Sequence, residues 1–161
     1  MLKDIMFLSL TKMKRVRPDI NTIVISILDS SEASGRPRLK GFRGVLSLEF
    51  EDIAEEHHNV EAGAWPDEPC LACHEQFASR GERLPALSDA ERIVTYLKHH
   101  HASPDPVRVI IHCHAGISRS AAVAEWASVR YWIPLTLMKD QSTDRANPRL
   151  LRLLNKAAGI Y

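Results

Sequence analysis

The stretch Val107-Arg108-Val109-Ile110-Ile111-His112-Cys113-His114-Ala115-Gly116-Ile117-Ser118-Arg119-Ser120, continued by Ala121-Ala122-Val123-Ala124, decides how this chain is read. A β-branched run ends at a cysteine, an arginine follows, and an alanine-rich apolar segment comes next. That order reads as strand, tight loop, helix. A strand turning sharply into a helix aims successive backbone N–H groups at one point, with the positive end of the helix behind them. Gly116 permits a backbone conformation that a side chain would resist. Arg119 brings a planar fork of donors that matches two oxygens of a tetrahedral oxyanion. Cys113 lies at the bottom of this positive bowl, which favours the thiolate. A thiolate facing a bound phosphoryl group is a poised nucleophile. Ser120 is placed to donate a hydrogen bond to the sulfur, and His112 to orient the loop. The bowl itself is formed by His114, Ala115, Gly116, Ile117 and Ser118 together with Arg119. A lone cysteine at a strand end would read as a buried structural thiol; the full string points to a phosphate-binding catalytic loop.

Working outward, the flanking sequence alternates strands and helices. Ile5–Leu10 reads as a first buried strand and Lys12–Asp19 as a short helix or loop. Thr22–Leu28 is a β-branched central strand, and Val45–Phe50 a third strand. Residues 54–86 form an irregular insert without sustained periodicity. Ser88-Asp89-Ala90-Glu91 has the form of a capping box, with Ser88 as N-cap and Glu91 at N3. Asp89 then falls at N1. After the helix that follows Ser120, Pro134–Gln141 reads as helical. Asn147-Pro148 opens a last helix, with Pro148 at N1, where a missing N–H does no harm. This alternation predicts an α/β fold, a mostly parallel central sheet flanked by helices, in one domain spanning 1–161. Sites in such folds sit beyond the C-terminal ends of strands, where Cys113 falls.

Composition narrows the function. The 161 residues are 45% hydrophobic and 25% charged, an ordinary globular balance. With 21 basic and 20 acidic residues the net charge is +1, which gives no argument for a nucleic-acid partner. Three cysteines are too few for a disulfide scaffold and suit a reducing compartment. No apolar run approaches the roughly 20 residues of a membrane span, and the start carries no export signal. The expectation is a cytoplasmic protein with no membrane partner.

His112-Cys113-His114-Ala115-Gly116-Ile117-Ser118-Arg119-Ser120 resembles the His-Cys-x5-Arg-Ser/Thr signature of cysteine-dependent protein tyrosine phosphatases. The Ala-Gly-Ile-Ser-Arg-Ser form is similar to the dual-specificity branch and to small bacterial enzymes predicted to be tyrosine phosphatases. The resemblance runs from about Thr22 to Leu154, with motif detail at the loop, at Glu49–Ile53 and at Asn147-Pro148. It implies a tyrosine-phosphatase-like fold and two-step hydrolysis through a cysteinyl-phosphate, without a metal or other cofactor. It also implies a phosphorylated protein or small phosphoester as substrate, phosphotyrosine first. Residues 114–118 carry no lysine, unlike families that act on inositol phosphates or RNA ends. The alternatives are a non-catalytic phosphate-binding module and a phosphatase for a non-protein phosphoester. Sulfur transfer or arsenate reduction can use a similar loop, but small arsenate reductases carry it near the N-terminus.

Such a reaction needs a proton for the leaving oxygen. Asp52 follows a strand as the acid of dual-specificity enzymes does, and a strand end fixes a side chain well. Asp67 lies in Trp65-Pro66-Asp67, which is similar to the Trp-Pro-Asp loop of larger tyrosine phosphatases. Asp52 is the preferred acid and Asp67 the alternative. In the insert, Cys70-Leu71-Ala72-Cys73-His74 fits a c-type haem attachment pattern, a partial zinc site with His57 or His58, or a redox pair. Haem attachment requires export and zinc requires four ligands, so a loop with two small apolar thiols is preferred. A disulfide from this pair to Cys113, guarding it from over-oxidation, is a further option.

Overall fold

The computed structural model describes residues 1–68 and 77–160. Five parallel strands form one sheet in the order β3-β2-β4-β1-β5. They are β1 Leu2–Ser9, β2 Thr22–Leu28, β3 Gly44–Glu49, β4 Val107–Cys113 and β5 Leu135–Thr136. The helices are α1 Leu10–Met13, α2 Leu87–His101, α3 Arg119–Tyr131 and α4 Pro148–Ala157. Short 3-10 turns occupy Ser30–Gly35 and Glu55–His58. The chain is thus an α/β protein with an all-parallel sheet flanked by helices.

The central strands are apolar on both faces, as covered parallel strands must be. Every residue of β2 is buried, and of β4 all but Arg108. One face carries the main core, where Ile5, Phe7, Ile25 and Ile111 meet α2, α3 and α4. Ala121, Ala122 and Ala124 in that core let α3 lie close against the sheet. The other face carries a smaller cluster of Leu8, Met13, Val24 and Ile110 under α1. Among the described residues no helix is long and apolar enough to cross a membrane.

Several boundaries differ from expectation. The first strand runs from Leu2 to Ser9, and Leu10 instead opens α1, because the Ser9 hydroxyl accepts from Lys12 N at 3.2 Å and caps a helix there. The third strand is Gly44–Glu49, one residue earlier than expected. Helix α2 is not capped by Ser88: it starts at Leu87, with Ala86 at the cap and Asp89 at N3 rather than N1. Asp89 accepts from Ala86 N at 3.0 Å and pairs with Arg83 at 2.8 Å, and these contacts of the buried Asp89 carboxylate set the register. Ser88 donates instead to Glu68. The expected helix over Pro134–Gln141 is replaced by β5, since Ile5 N donates to Pro134 O at 3.0 Å and the edge of β1 takes a strand partner. Asn147 caps α4 as expected, with Pro148 in its first turn.

Candidate active site

Three strand ends converge on the loop after β4. Its shape is set by β1. Leu10 N donates to His114 O at 3.0 Å. Gly116 has φ +68°, and a Cβ there would lie 2.3 Å from Ser9 N and 2.5 Å from Leu8 C. Only glycine fits a positive φ pressed against another backbone. The loop is wedged into the C-terminal end of its neighbouring strand.

At its bottom Cys113 is 2% exposed and carries a free thiol. Its sulfur accepts from Gly116 N at 3.3 Å and lies 3.1 Å from the hydroxyl of buried Ser120. Among the described residues, no protein group accepts from the backbone N–H groups of Ala115, Ile117 and Ser118.

Arg119 opens α3 and is 4% exposed. Its Nη1 donates to Asp29 Oδ1 at 2.5 Å and to Phe50 O at 2.6 Å. Asp29 follows β2 and Phe50 follows β3, so two further strand ends orient the guanidinium. Its Nε is buried without a protein partner. An unsatisfied charged donor is costly, and a bound oxyanion removes that cost.

Asp52 stands at the rim. Its Oδ1 accepts from Ser118 Oγ at 2.6 Å and from Asn147 Nδ2 at 2.8 Å. A cleft of about 440 Å³ opens beside it, lined by Asp52 and Ser118 with Glu56, His57, Asp144, Arg145, Ala146 and Pro148. His114 reaches outward, and its Nδ1 meets Glu32 Oε1 at 2.7 Å on the 3-10 turn after β2. His112, opposite Ser26 of β2, is fully buried. Burial and then the charge of Arg36 push its pKa down to about 4, so the ring is neutral at pH 7.

Asp67 is elsewhere. Its carboxylate pairs with Lys156 of α4 and its carbonyl accepts from Leu87 N at 2.9 Å. Pro66 O accepts from Arg149 Nη2 at 2.8 Å, and Trp65 packs 5.5 Å from Phe77. Among the described residues, no hydrogen bond or ion pair joins Asp67 to the loop. The Trp-Pro-Asp string is therefore a joint between the insert, α2 and α4. The motif Cys70-Leu71-Ala72-Cys73-His74 lies outside the described residues.

Two site residues escape a reading of the sequence. Asp29 and Glu32 sit in a stretch that looks like plain loop. The available signal was position: Asp29 follows a central parallel strand at its C-terminal end, where such folds build sites. Class and site are thus those of a parallel α/β protein with a cysteine–arginine loop at its strand ends. Compared with protein-family models, curated proteins and solved structures, the chain matches none.

Proposed function

We propose that this chain is a cysteine-dependent phosphatase, hydrolysing phosphotyrosine and also phosphoserine and phosphothreonine. The observation that carries the reading is the divided guanidinium of Arg119: Nη1 is committed to Asp29 and Phe50, while Nε is buried and unclaimed. A phosphoryl group in the bowl would take donors from Arg119 and from the N–H groups of residues 114–118. Cys113 Sγ attacks phosphorus as the bond to the leaving oxygen breaks. Asp52 gives its proton to that oxygen. A water then attacks the cysteinyl-phosphate, Asp52 takes the water's proton, and the thiolate departs with the Ser120 hydroxyl donating to it. Phosphate is released. Asp52 is the acid in this reading because its carboxylate touches the loop and that of Asp67 is held by Lys156. Such a thiol works in a reducing compartment, which supports a cytoplasmic location.

One feature favours a second substrate class. The cleft beside Asp52 is lined mainly by polar and charged side chains, with Ala146 and Pro148 as its apolar residues, which suits a polar non-protein phosphoester.

The test is hydrolysis of p-nitrophenyl phosphate, with and without chelator. Wild type is expected to turn over in both, Cys113→Ser to fall to background, and Asp52→Asn to lose about 10²-fold or more. Full activity in Cys113→Ser sinks the reading. Tight phosphate binding without turnover makes the protein a binding module. A larger loss in Asp67→Asn than in Asp52→Asn moves the acid to Asp67. Comparing a phosphotyrosyl peptide with sugar phosphates decides the substrate class.

A further inference from the structure

We propose that Asn147 is a positioning residue for the acid: with Ser118 it holds Oδ1 of Asp52 as an acceptor, so the proton of the carboxyl group resides on Oδ2 and is delivered from there. The inference rests on the phosphatase reading and adds to it how the acid is aimed.

Asn147 is fully buried, and every hydrogen-bonding group it has on that side is engaged. As N-cap of α4 its Oδ1 accepts from Leu150 N at 2.9 Å. That bond fixes the amide, because a flip would place its NH₂ against an N–H. Nδ2 must then face Asp52, donating to Oδ1 at 2.8 Å and to Ile53 O at 3.4 Å. The backbone N of Asn147 donates to Ser118 O at 3.3 Å, closing a ring between loop, acid and helix. An amide NH₂ only donates, and the Ser118 hydroxyl, 2.6 Å from the same oxygen, completes the pair. A carboxyl oxygen receiving two donors is not the one that carries hydrogen. Oδ2 is left to carry it, on a residue that lines the cleft. One residue thus starts the last helix and orients the proton donor.

The cap and the contact can be separated. Asn147→Ser keeps a good N-cap but is too short to cap and reach Asp52 together. Asn147→Asp keeps the cap and sets a second carboxylate against Oδ1. The rates to compare are those on p-nitrophenyl phosphate, whose leaving group needs less proton help, and on phenyl phosphate, whose leaving group needs more. For Asn147→Ser, kcat on phenyl phosphate is expected to fall roughly tenfold further than on p-nitrophenyl phosphate, part of the 10²–10⁴ that general acids supply. KM stays near wild type. In an Asp52→Asn background the same substitution adds no leaving-group dependence. Asn147→Asp is expected to move the limb of the pH profile set by the acid to higher pH, since like charges favour the protonated form. Glu56, His57, Asp144 and Arg145 line the same cleft and are common to all variants, so the shift is read as a difference. If Asn147→Ser does not fold, Ser118→Ala removes the other donor and must show the same selective loss. Equal losses on both substrates, or an effect that persists in Asp52→Asn, overturn the inference and leave Asn147 a helix cap. A wild type inactive on both substrates overturns the phosphatase reading itself. An Asp52→Asn enzyme indifferent to the leaving group overturns the choice of acid.

Discussion

Arg119 has a divided role, one nitrogen anchored and another waiting, and the anchor is a carboxylate the sequence does not advertise. Removing it with Asp29→Ala frees the guanidinium to swing. Loss of a charged hydrogen bond of this kind is worth about 1.5–3 kcal/mol. Phosphate as a competitive inhibitor is therefore expected to bind roughly ten- to a hundredfold more weakly. His112 makes a prediction about pH. Its folded pKa, about 4, lies below the ordinary 6.5, so the unfolded chain binds the proton more readily. The associated stability is complete above about pH 6.5 and is lost as pH falls towards 4, by about 3 kcal/mol in all. Urea midpoints between pH 7 and 4 should fall more steeply for wild type than for His112→Gln. Cys113, Arg119 and Ser120 were legible because one strand–loop–helix unit brings them together locally. Asp29 was not, because it meets Arg119 across 90 residues of chain. A contact at that range follows from strand order, which no local pattern reveals.

At the level of elements, the loop takes its shape from the end of β1 as much as from its own residues. Gly116→Ala forces a Cβ into the backbone of Leu8 and Ser9 at a positive φ, itself costing about 1–2 kcal/mol. The expected result is a folded protein, checked by circular dichroism, whose kcat/KM falls roughly a hundredfold because the bowl is displaced. Strands β2 and β4 were readable from their β-branched runs, and α4 from Asn147-Pro148. Helix α2 was misread at its start because two acidic residues compete for N3, and burial beside Arg83 chose Asp89. The stretch from Pro134 was misread because the need of β1 for an edge partner overrode local helical preference.

Across the whole molecule, the insert was the least legible part, and a buried ion pair explains why. Glu55 is fully buried between Arg149 at 2.8 Å and Arg152 at 2.6 Å. Arg149 also donates to Pro85 O at 2.9 Å and to Pro66 O, tying an aperiodic stretch to α4 by charge rather than by an apolar stripe. Removing one member of such a pair costs about 3–5 kcal/mol. Arg149→Met is expected to show that loss in urea unfolding. Strand order carries a last consequence. The wall of the loop comes from β1 and Cys113 from β4, strands whose Asp4 and Arg108 meet 104 residues apart. Closing so large a loop of chain is entropically slow, and contacts of this kind form late. For the proposed phosphatase, turnover in refolding is therefore expected to return after the helical signal, once β1 has paired with β4.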